Sequence, residues 1–428
     1  MVRQIQGGFP RLTGPVAVPG SKSHTIRAVI AAMLGDGVSE IVSPLYSADT
    51  RSALHAVSAL GAAVEESREC WRITGCGGRF TYPAGPVDLG NSGTTMRIIT
   101  AAAALGNHPV SFDGDASLRT RIMAGELSAL TALGASCTSR EGFAPLSVCG
   151  PLRGGKAKVD GTTSQYLSAL LMALVMAEGD SELELDFLNE ADYVRITLDW
   201  LDRCGGRVEY SDDLLRFRIP GGQRYRSFSR VIPADFSTAA FPLGAGLISG
   251  DEVRIANLDF DDLQGDKRVF DFAAAMGGRI VRRENEVAVR RSRLHGGTFD
   301  LNATPDALPL MAVLGCFAEG ETRLVNAPQA RLKECDRIAA MTKELRKMGA
   351  DAEELPDGMV IRGGNPLHGA AVESSRDHRI AMALTVAALG AEGVTRIADA
   401  ECCGVTYPDF YADLTRLGAT ISPEDGAR

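Results

Sequence analysis

Six glycines, each placed after an apolar helical stretch and before a strand-like run, divide this chain into units of nearly equal length. Neighbouring members of the series lie 69 to 73 residues apart. The series consists of Gly61, Gly134, Gly205, Gly277, Gly349 and Gly418. Glycine ends a helix readily because it takes the left-handed backbone conformation without steric cost. The chain is therefore predicted to be a sixfold repeat, with a period longer than the about 20 to 50 residues of solenoid repeats.

A second series of glycines ends alanine-rich helical runs and predicts a second helix in each repeat. Its members are Gly37, Gly106, Gly179, Gly250, Gly320 and Gly393. The helices before the first series are amphipathic, whereas those of the second, such as residues 95–105 and 165–176, are apolar on nearly all faces. Alternating runs such as 207–210 and 279–282 predict strands with one solvated face. We expect an α/β (α+β) protein whose repeats each hold an inner helix, an outer helix and strands, packed as two groups of three.

Length and composition limit the classes of protein to which the chain can belong. At 428 residues it is too long for one core and predicts two or three domains. A formal net charge of -9 disfavours nonspecific binding of nucleic acid. No segment has the length and hydropathy of a signal peptide or membrane span. Nine cysteines without a CxxC pair are typical of reduced thiols, so we expect a cytoplasmic protein without a membrane partner.

The inner helices are predicted to begin with polar residues that suit an anion site. Backbone N–H groups at a helix start are unsatisfied and attract negative charge. Residues that favour the N-cap position stand at each start, namely Ser21, Asn91, Thr162, Asp235, Thr304 and Ser375. Cations accompany them, namely Lys22, Arg27, Arg97, Arg121, Lys333, Arg337, His378 and Arg379. This pattern predicts a site for a substrate with several negative charges, with Asp306 and Glu334 as groups that transfer protons.

Simpler interpretations account for each motif taken alone. Helix capping without any ligand explains the polar starts, and Asp336 with Arg337 forms a pair of a kind that often only holds a helix end. Residues 20–23 (Gly-Ser-Lys-Ser) lack the spaced first glycine of a nucleotide-binding loop, so ATP is not expected. His24 and His378 have no cysteine or histidine neighbour at ligand spacing. We therefore predict neither a metal nor another cofactor.

Five motifs, taken in order along essentially the whole chain, resemble those of the enolpyruvyl transferases, and within them the branch that acts on shikimate 3-phosphate. They are residues 19–23 (Pro-Gly-Ser-Lys-Ser) with Arg27, residues 89–94 (Leu-Gly-Asn-Ser-Gly-Thr) with Arg97, Asp160 and Gly161 with Ser164 and Gln165, residues 333–337 (Lys-Glu-Cys-Asp-Arg), and residues 377–379 (Asp-His-Arg). The resemblance implies a two-domain, inside-out α/β barrel-like fold of six βαβαββ repeats, three per domain. Residues 1–20 with 233–428 would form the first lobe and residues 21–232 the second, with the active site in the cleft between them. It also implies a monomer whose lobes close on the substrates.

The resemblance implies that the 5-hydroxyl of shikimate 3-phosphate adds to C2 of phosphoenolpyruvate, with protonation at C3, and that the intermediate then expels phosphate. The positions matched to phosphoenolpyruvate are Lys22, Gly93, Arg121, Gln165, Arg337 and Arg379. Those matched to shikimate 3-phosphate are Ser23, Arg27, Thr163, Ser164, Gln165, Tyr193, Asp306 and Lys333. The catalytic residues would be Asp306 facing the 5-hydroxyl, and Glu334 with Lys22 serving the methylene carbon.

Four positions depart from the family pattern and keep alternatives open. Ile98 and Ile122 stand where many members have proline, Glu190 where a serine is frequent near the substrate phosphate, and Val405 where many have a lysine. The alternatives are a paralogous transferase acting on a different cyclic alcohol and a noncatalytic anion-binding protein of the same fold. Transfer to UDP-N-acetylglucosamine is disfavoured because a serine follows Lys22 and residues 113–121 contain no cysteine. Glyphosate sensitivity is equally open, because Gly93 favours it whereas Ile98 and Val405 oppose it.

Overall fold

Helices and strands alternate along the chain in the computed structural model, which describes residues 1–424. The helices are Lys22–Leu34 (α1), Ala48–Ala59 (α2), Gly93–Ala103 (α3), Ala124–Ala132 (α4), Ser164–Leu174 (α5), Ala191–Arg203 (α6), Phe236–Ser249 (α7), Arg268–Ala275 (α8), Leu308–Cys316 (α9), Arg337–Lys347 (α10), His378–Leu389 (α11) and Phe410–Leu417 (α12). Short 3-10 turns span Leu118–Thr120, Gly265–Lys267, Pro305–Ala307, Pro328–Leu332 and Ala400–Val405.

The strands are mostly three to seven residues long. They are Arg3–Gln6 (β1), Leu12–Ala17 (β2), Val38–Val42 (β3), Ala63–Glu66 (β4), Cys70–Thr74 (β5), Val87–Asp88 (β6), Val110–Asp113 (β7), Ser136–Arg140 (β8), Phe143–Cys149 (β9), Gly155–Lys158 (β10), Ser181–Glu184 (β11), Glu209–Tyr210 (β12), Arg216–Ile219 (β13), Ser229–Val231 (β14), Gly250–Ala256 (β15), Arg279–Arg282 (β16), Glu286–Arg290 (β17), Leu294–His295 (β18), Thr298–Asp300 (β19), Ala318–Glu319 (β20), Glu321–Val325 (β21), Asp351–Leu355 (β22), Gly358–Arg362 (β23), Ala371–Glu373 (β24), Val394–Ala398 (β25) and Ile421–Pro423 (β26). The predicted strand at 279–282 is confirmed as β16, whereas of 207–210 only Glu209 and Tyr210 are paired.

Within residues 1–424, six four-stranded sheets share one pattern, in which one pair of strands is parallel and two pairs are antiparallel. Three sheets follow βαβαββ order along the chain, namely those that begin with β6, β10 and β19. Each of the other three is completed by a strand from a distant part of the chain: β14 joins β3, β2 joins β15, and β1 lies between β25 and β26. The predicted sixfold repeat is thereby confirmed.

The chain divides into two compact units. Unit 1 comprises Met1–Pro19 with Pro233–Arg428, and unit 2 comprises Gly20–Ile232. In unit 2, α3 packs against both α1 and α5, and every residue of α1 from His24 onward is buried. In unit 1, α7, α9 and α11 pack against one another, and all residues of α7 and α9 are buried. The inner helices predicted from their uniform hydrophobicity therefore form the centre of each unit.

The backbone conformation confirms the first glycine series, but several helices have a different N-cap residue from the predicted one. All six glycines of the first series have positive φ, between 88° and 115°. Ser21 and Asp235 cap α1 and α7 as predicted. Three of the other predicted caps were wrong, because the N-caps of α3, α5 and α11 are Ser92, Thr163 and Asp377, one or two residues later. Thr304 holds the N-cap position of the 3-10 turn at Pro305–Ala307, although its side chain makes no capping hydrogen bond and α9 starts only at Leu308.

No helix among the described residues is long and apolar enough to cross a membrane.

Candidate active site

A fully buried arginine organises the charged groups of unit 1. The side chain of Arg337 is 1% exposed and contacts three carboxylates. Its Nε donates to Oδ2 of Asp377 at 2.7 Å, its Nη1 to Oδ1 of Asp306 at 2.6 Å, and its Nη2 to Oε2 of Glu334 at 2.5 Å. Burial opposes the charge, but the three carboxylates outweigh it and raise the pKa of Arg337 well above its ordinary value. The guanidinium is therefore permanently charged.

Helix starts place these groups where they meet. Arg337 is the first residue of α10, whose N-cap Asp336 accepts a hydrogen bond from the backbone N–H of Ala339 at 3.0 Å. Asp377 is the N-cap of α11 and accepts from the backbone N–H of Arg379 at 2.8 Å. Since caps must lie at helix ends, two capping aspartates fix two arginines at the same end of unit 1.

Asp306 is a carboxylate that contacts three cations of this cluster. It lies in the 3-10 turn before α9 and also pairs with Nη2 of Arg379 at 2.8 Å and with Nζ of Lys333 at 4.0 Å. Burial alone would raise the pKa of Asp306, but Arg379, Lys333 and Arg337 hold it well below the usual range. Asp306 is thus ionised, and the cluster pairs three cations with three carboxylates.

Ser237, which the sequence interpretation missed, fixes the second arginine. Nη2 of Arg379 donates to Oγ of Ser237 at 2.8 Å, and that hydroxyl donates to Oδ1 of Asp235 at 2.6 Å. Asp235 is the N-cap of α7. The sequence feature that could have indicated Ser237 is its place two residues after a capping aspartate, in the first turn of an inner helix.

In unit 2, the lysine of the first motif is paired with an aspartate that the sequence interpretation also missed. Nζ of Lys22 lies 3.3 Å from Oδ2 of Asp49, and the two side chains are 13% and 5% exposed. Asp49 lies in the first turn of α2, behind the capping box formed by Ser47 and Thr50. The capping box could have been recognised in the sequence as the start of a helix, but it does not predict the contact between Asp49 and Lys22.

Two guanidinium groups flank Gly93 at the start of α3. A Cβ atom added to this glycine would lie 2.7 Å from Nη1 of Arg121 and 3.0 Å from Nη1 of Arg97. Arg121 donates to Oδ1 of Asn91 at 2.5 Å, and Arg97 donates to Oε1 of Gln165 at 2.7 Å. The absence of a side chain at position 93 therefore keeps open a space that two cations face.

Arg27 lies deep in unit 2, where it joins three helices. Its Nε donates to Oγ1 of Thr197 at 2.8 Å, its Nη1 to the carbonyl of Ser23 at 3.0 Å, and its Nη2 to Oγ of Ser168 and the carbonyl of Tyr193, both at 3.2 Å. Burial lowers the pKa of Arg27 to about 10. Four of its five N–H groups are thus used within the protein, and within residues 1–424 the fifth has no partner.

The remaining predicted ligands lie around the start of α5. Oγ of Thr163 accepts from the backbone N–H of Gln165 at 3.3 Å and caps the helix. Oγ of Ser164 donates to Oε2 of Glu190 at 3.0 Å. Glu190 is buried, with a φ of 56°, at the N-cap of α6. Its carboxylate thus accepts the hydrogen bond from the hydroxyl of Ser164. Arg195, a cation of the same helix, pairs with Asp192, and its Nε lies 3.8 Å from Oδ1 of that residue.

Comparison with known proteins finds one family over nearly the whole chain. The family model described as EPSP synthase (3-phosphoshikimate 1-carboxyvinyltransferase) matches residues 7–414. The chain is similar to a 3-phosphoshikimate 1-carboxyvinyltransferase of Acetivibrio thermocellus, at 46% identity over 414 residues that cover 96% of this chain and 97% of that protein. The corresponding protein of Ruminiclostridium cellulolyticum is 45% identical over 413 residues, which cover 96% and 97% of the two chains.

Solved structures have the same fold. An EPSP synthase from Acinetobacter baumannii superimposes with a TM-score of 0.83 at 26% identity, covering 99% of this chain and all of that one. The enolpyruvyl transferase NikO from Streptomyces tendae superimposes with a TM-score of 0.78, covering 98% of each chain. Its identity of 19% supports a shared fold alone.

Proposed function

This chain belongs to the EPSP synthase family, and from that premise we propose how its two charged clusters carry out the reaction. The activity is that of a 3-phosphoshikimate 1-carboxyvinyltransferase, a transferase of the shikimate pathway that leads to the aromatic amino acids. The single observation that best supports a catalytic role is the buried Arg337, which binds Asp306 and Glu334. A protein that only bound anions would need the arginine but not the two carboxylates.

The reaction proceeds by addition and elimination. The 5-hydroxyl oxygen of shikimate 3-phosphate forms a bond to C2 of phosphoenolpyruvate, the hydroxyl proton leaves, and C3 gains a proton to become a methyl group. In the second step the bond between C2 and the phosphate oxygen breaks, C3 loses a proton, and the double bond is restored. The enzyme therefore needs a base at the 5-hydroxyl and, at C3, a group that gives a proton in the first step and takes it back in the second. The proton taken from the hydroxyl leaves with the phosphate.

Phosphoenolpyruvate is proposed to bind to cations of both units. Its carboxylate and phosphate suit the planar, bidentate donors of arginine and the point charge of lysine. The proposed ligands are Lys22, Gly93, Arg121, Gln165, Arg337 and Arg379. Support comes from the two guanidinium groups at the open side of Gly93 and from the rigid hold on the arginines of unit 1.

Shikimate 3-phosphate is proposed to bind mainly to unit 2. The proposed ligands are Ser23, Arg27, Thr163, Ser164, Gln165 and Tyr193 from that unit, with Asp306 and Lys333 from unit 1. The start of α5 supplies backbone N–H groups suited to a phosphate. Ser164 can rotate its hydroxyl away from Glu190 and donate to the phosphate instead. The carboxylate of Glu190 then permits binding as long as it does not contact the phosphate.

Asp306 is proposed as the base at the 5-hydroxyl, although its pKa is low without substrate. Three cations stabilise its charged form, and an anion so stabilised accepts a proton poorly. Bound substrates bring carboxylate and phosphate groups to Arg337, Arg379 and Lys333, which reduces their pull on Asp306. Its proton affinity should therefore rise when both substrates are present. Glu334 and Lys22 are proposed to move the proton at C3.

Release of phosphate tests the function directly. The purified protein is given phosphoenolpyruvate with either shikimate 3-phosphate or plain shikimate, and the enolpyruvyl ether is identified by its mass. Turnover that requires the 3-phosphate is expected. Preference for plain shikimate would instead support a paralogue with another acceptor, the alternative that Glu190 and Val405 favour. The matched variant Glu190→Ser separates the effect of that carboxylate from the rest of the site.

A monomeric state and a cytoplasmic location complete the proposal. Support for the location comes from the cysteines, all nine of which are unpaired thiols within the described residues. Light scattering during size-exclusion chromatography measures the oligomeric state, and a mass of one chain is expected. Fractionation of cells measures the location.

A further inference from the structure

Glu126 is a buried carboxyl group that the proposed reaction does not use. It lies in the first turn of α4 with no exposed surface. Neither of its carboxyl oxygens has a hydrogen-bond partner within residues 1–424, and Nε of Arg97 also has none there. Buried carboxylates are normally paired or hydrogen-bonded, so this arrangement calls for an explanation.

Groups from three elements face this carboxyl. Arg97 of α3 is the cation that acts on it, Tyr166 of α5 lies beside both, and the thiol of Cys137 in β8 also interacts with Glu126. Asp160, between β10 and α5, acts on Tyr166. Burial raises the pKa of Glu126 well above its ordinary value, and Arg97 offsets this effect only in part. Burial therefore favours the neutral form of the carboxyl, in keeping with oxygens that accept no hydrogen bond among the described residues.

Arg97 in turn orients the side chain of Gln165, which we propose to contact phosphoenolpyruvate. Its Nη1 donates to Oε1 of Gln165 at 2.7 Å, and its Cζ lies 5.6 Å from the centre of the Tyr166 ring. Arginine has only donors, so the carbonyl end of the Gln165 amide must face it. The Nε2 end is then left to donate to an anion. This order of groups connects Glu126 to the substrate through Arg97 and Gln165.

We propose that Glu126 is a positioning residue for phosphoenolpyruvate, and that its neutral form leaves Arg97 fully charged and bonded to Gln165. If Glu126 loses its proton, the carboxylate and Nε of Arg97 become partners. Ionisation thus draws Arg97 toward α4, neutralises its charge and releases the amide of Gln165. The inference rests on the proposed binding of phosphoenolpyruvate by Gln165.

The experiment compares Glu126→Gln, which imitates the neutral acid, with the wild type and with Glu184→Gln, the same change on the exposed face of β11. KM for phosphoenolpyruvate and kcat are measured between about pH 6 and about pH 9. In the wild type, KM is expected to rise on the order of tenfold at the alkaline end, the effect of losing one charge-assisted hydrogen bond, while kcat changes little. Glu126→Gln should keep the low KM throughout, and the control should follow the wild type.

Stability supplies a second readout that does not depend on turnover. Glu126 keeps its proton in the folded protein above the pH at which the unfolded chain, with an ordinary pKa of 4.5, releases it. Folding therefore takes up a proton, and stability falls as pH rises above that value. Glu126→Gln should raise Tm at about pH 8 but not near pH 4. Infrared difference spectra should lose the carbonyl band of an un-ionised carboxyl group.

Two results would overturn the proposal. One is a higher KM for Glu126→Gln at every pH, because it would mean that the ionised carboxylate is the working form. The other is an unchanged infrared spectrum together with an unchanged dependence of Tm on pH. If the wild type fails to turn over the two substrates, the proposed function fails on its own. Calorimetric titration with phosphoenolpyruvate and the infrared band then still decide the role of Glu126.

Discussion

Replacing Asp377 by asparagine tests whether the buried arginine depends on its carboxylates. Asparagine keeps an oxygen for the backbone N–H of Arg379, and it is as good an N-cap as aspartate. It places an amide donor, however, where the Nε of Arg337 now donates at 2.7 Å. Removing one partner of a buried ion pair costs about 3 to 5 kcal/mol. Arg337 keeps Asp306 and Glu334, so we expect a loss of about 3 kcal/mol, the lower end of that range.

Asp336→Asn is the matched control. Asp336 caps α10 in the same way, but its partner Arg331 and its own side chain are 24% and 38% exposed. Losing such a pair costs about 0 to 1 kcal/mol because water screens it. The two variants therefore differ by about 2 kcal/mol or more if the buried contact matters as argued.

Unfolding in urea measures the difference. Far-ultraviolet circular dichroism follows both units, whereas tryptophan fluorescence follows unit 2, which contains Trp71 and Trp200. We expect the dichroism transition of Asp377→Asn to begin at lower urea, together with a raised KM for phosphoenolpyruvate. Equal unfolding of the two variants would refute the view that Arg337 is held by ionic hydrogen bonds.

Substitutions at three more positions test the proposed site. Gly93→Ala places a methyl group 2.7 Å from Nη1 of Arg121, so KM for phosphoenolpyruvate should rise on the order of tenfold with little change in Tm; an unchanged KM would place the ligand elsewhere. Asp306→Asn should lower kcat by about 100-fold or more while substrate still binds in calorimetry, and a kcat near that of the wild type would exclude it as the base. Ser237→Ala removes an acceptor of Arg379 and should raise KM several-fold, about 1 kcal/mol, whereas Ser237→Thr should restore it.

The repeat could be predicted from the sequence because its signals are local. A glycine such as Gly61, with a φ of 107°, acts on the residues directly before it, so its position alone marks the helix end. Caps are less certain because neighbouring polar residues compete. In residues 91–92 both asparagine and serine are suitable, and the structure uses Ser92, although its side chain makes no capping hydrogen bond.

Contacts between distant segments could not be predicted in this way. Asp49 meets Lys22 across two helices. Glu126 is buried within reach of the charge of Arg97, and its helix α4 packs against the inner helix α5. Burial of a carboxyl group depends on what the tertiary fold places over it, and no pattern of local spacing records that. The proposed ligands themselves, and closure of two lobes over the substrates, stay predictions.

The strand β1 has a consequence for the order in which the protein is made. It pairs with β25 and β26, so that Arg3 lies opposite Ile397 on one side and Pro423 on the other. A ribosome delivers the first strand of this sheet long before its two neighbours. Unit 2 is one continuous stretch, Gly20–Ile232, and can complete its sheets while synthesis continues. β1 must meanwhile remain unpaired, which exposes a strand edge to aggregation until β25 and β26 have been synthesised.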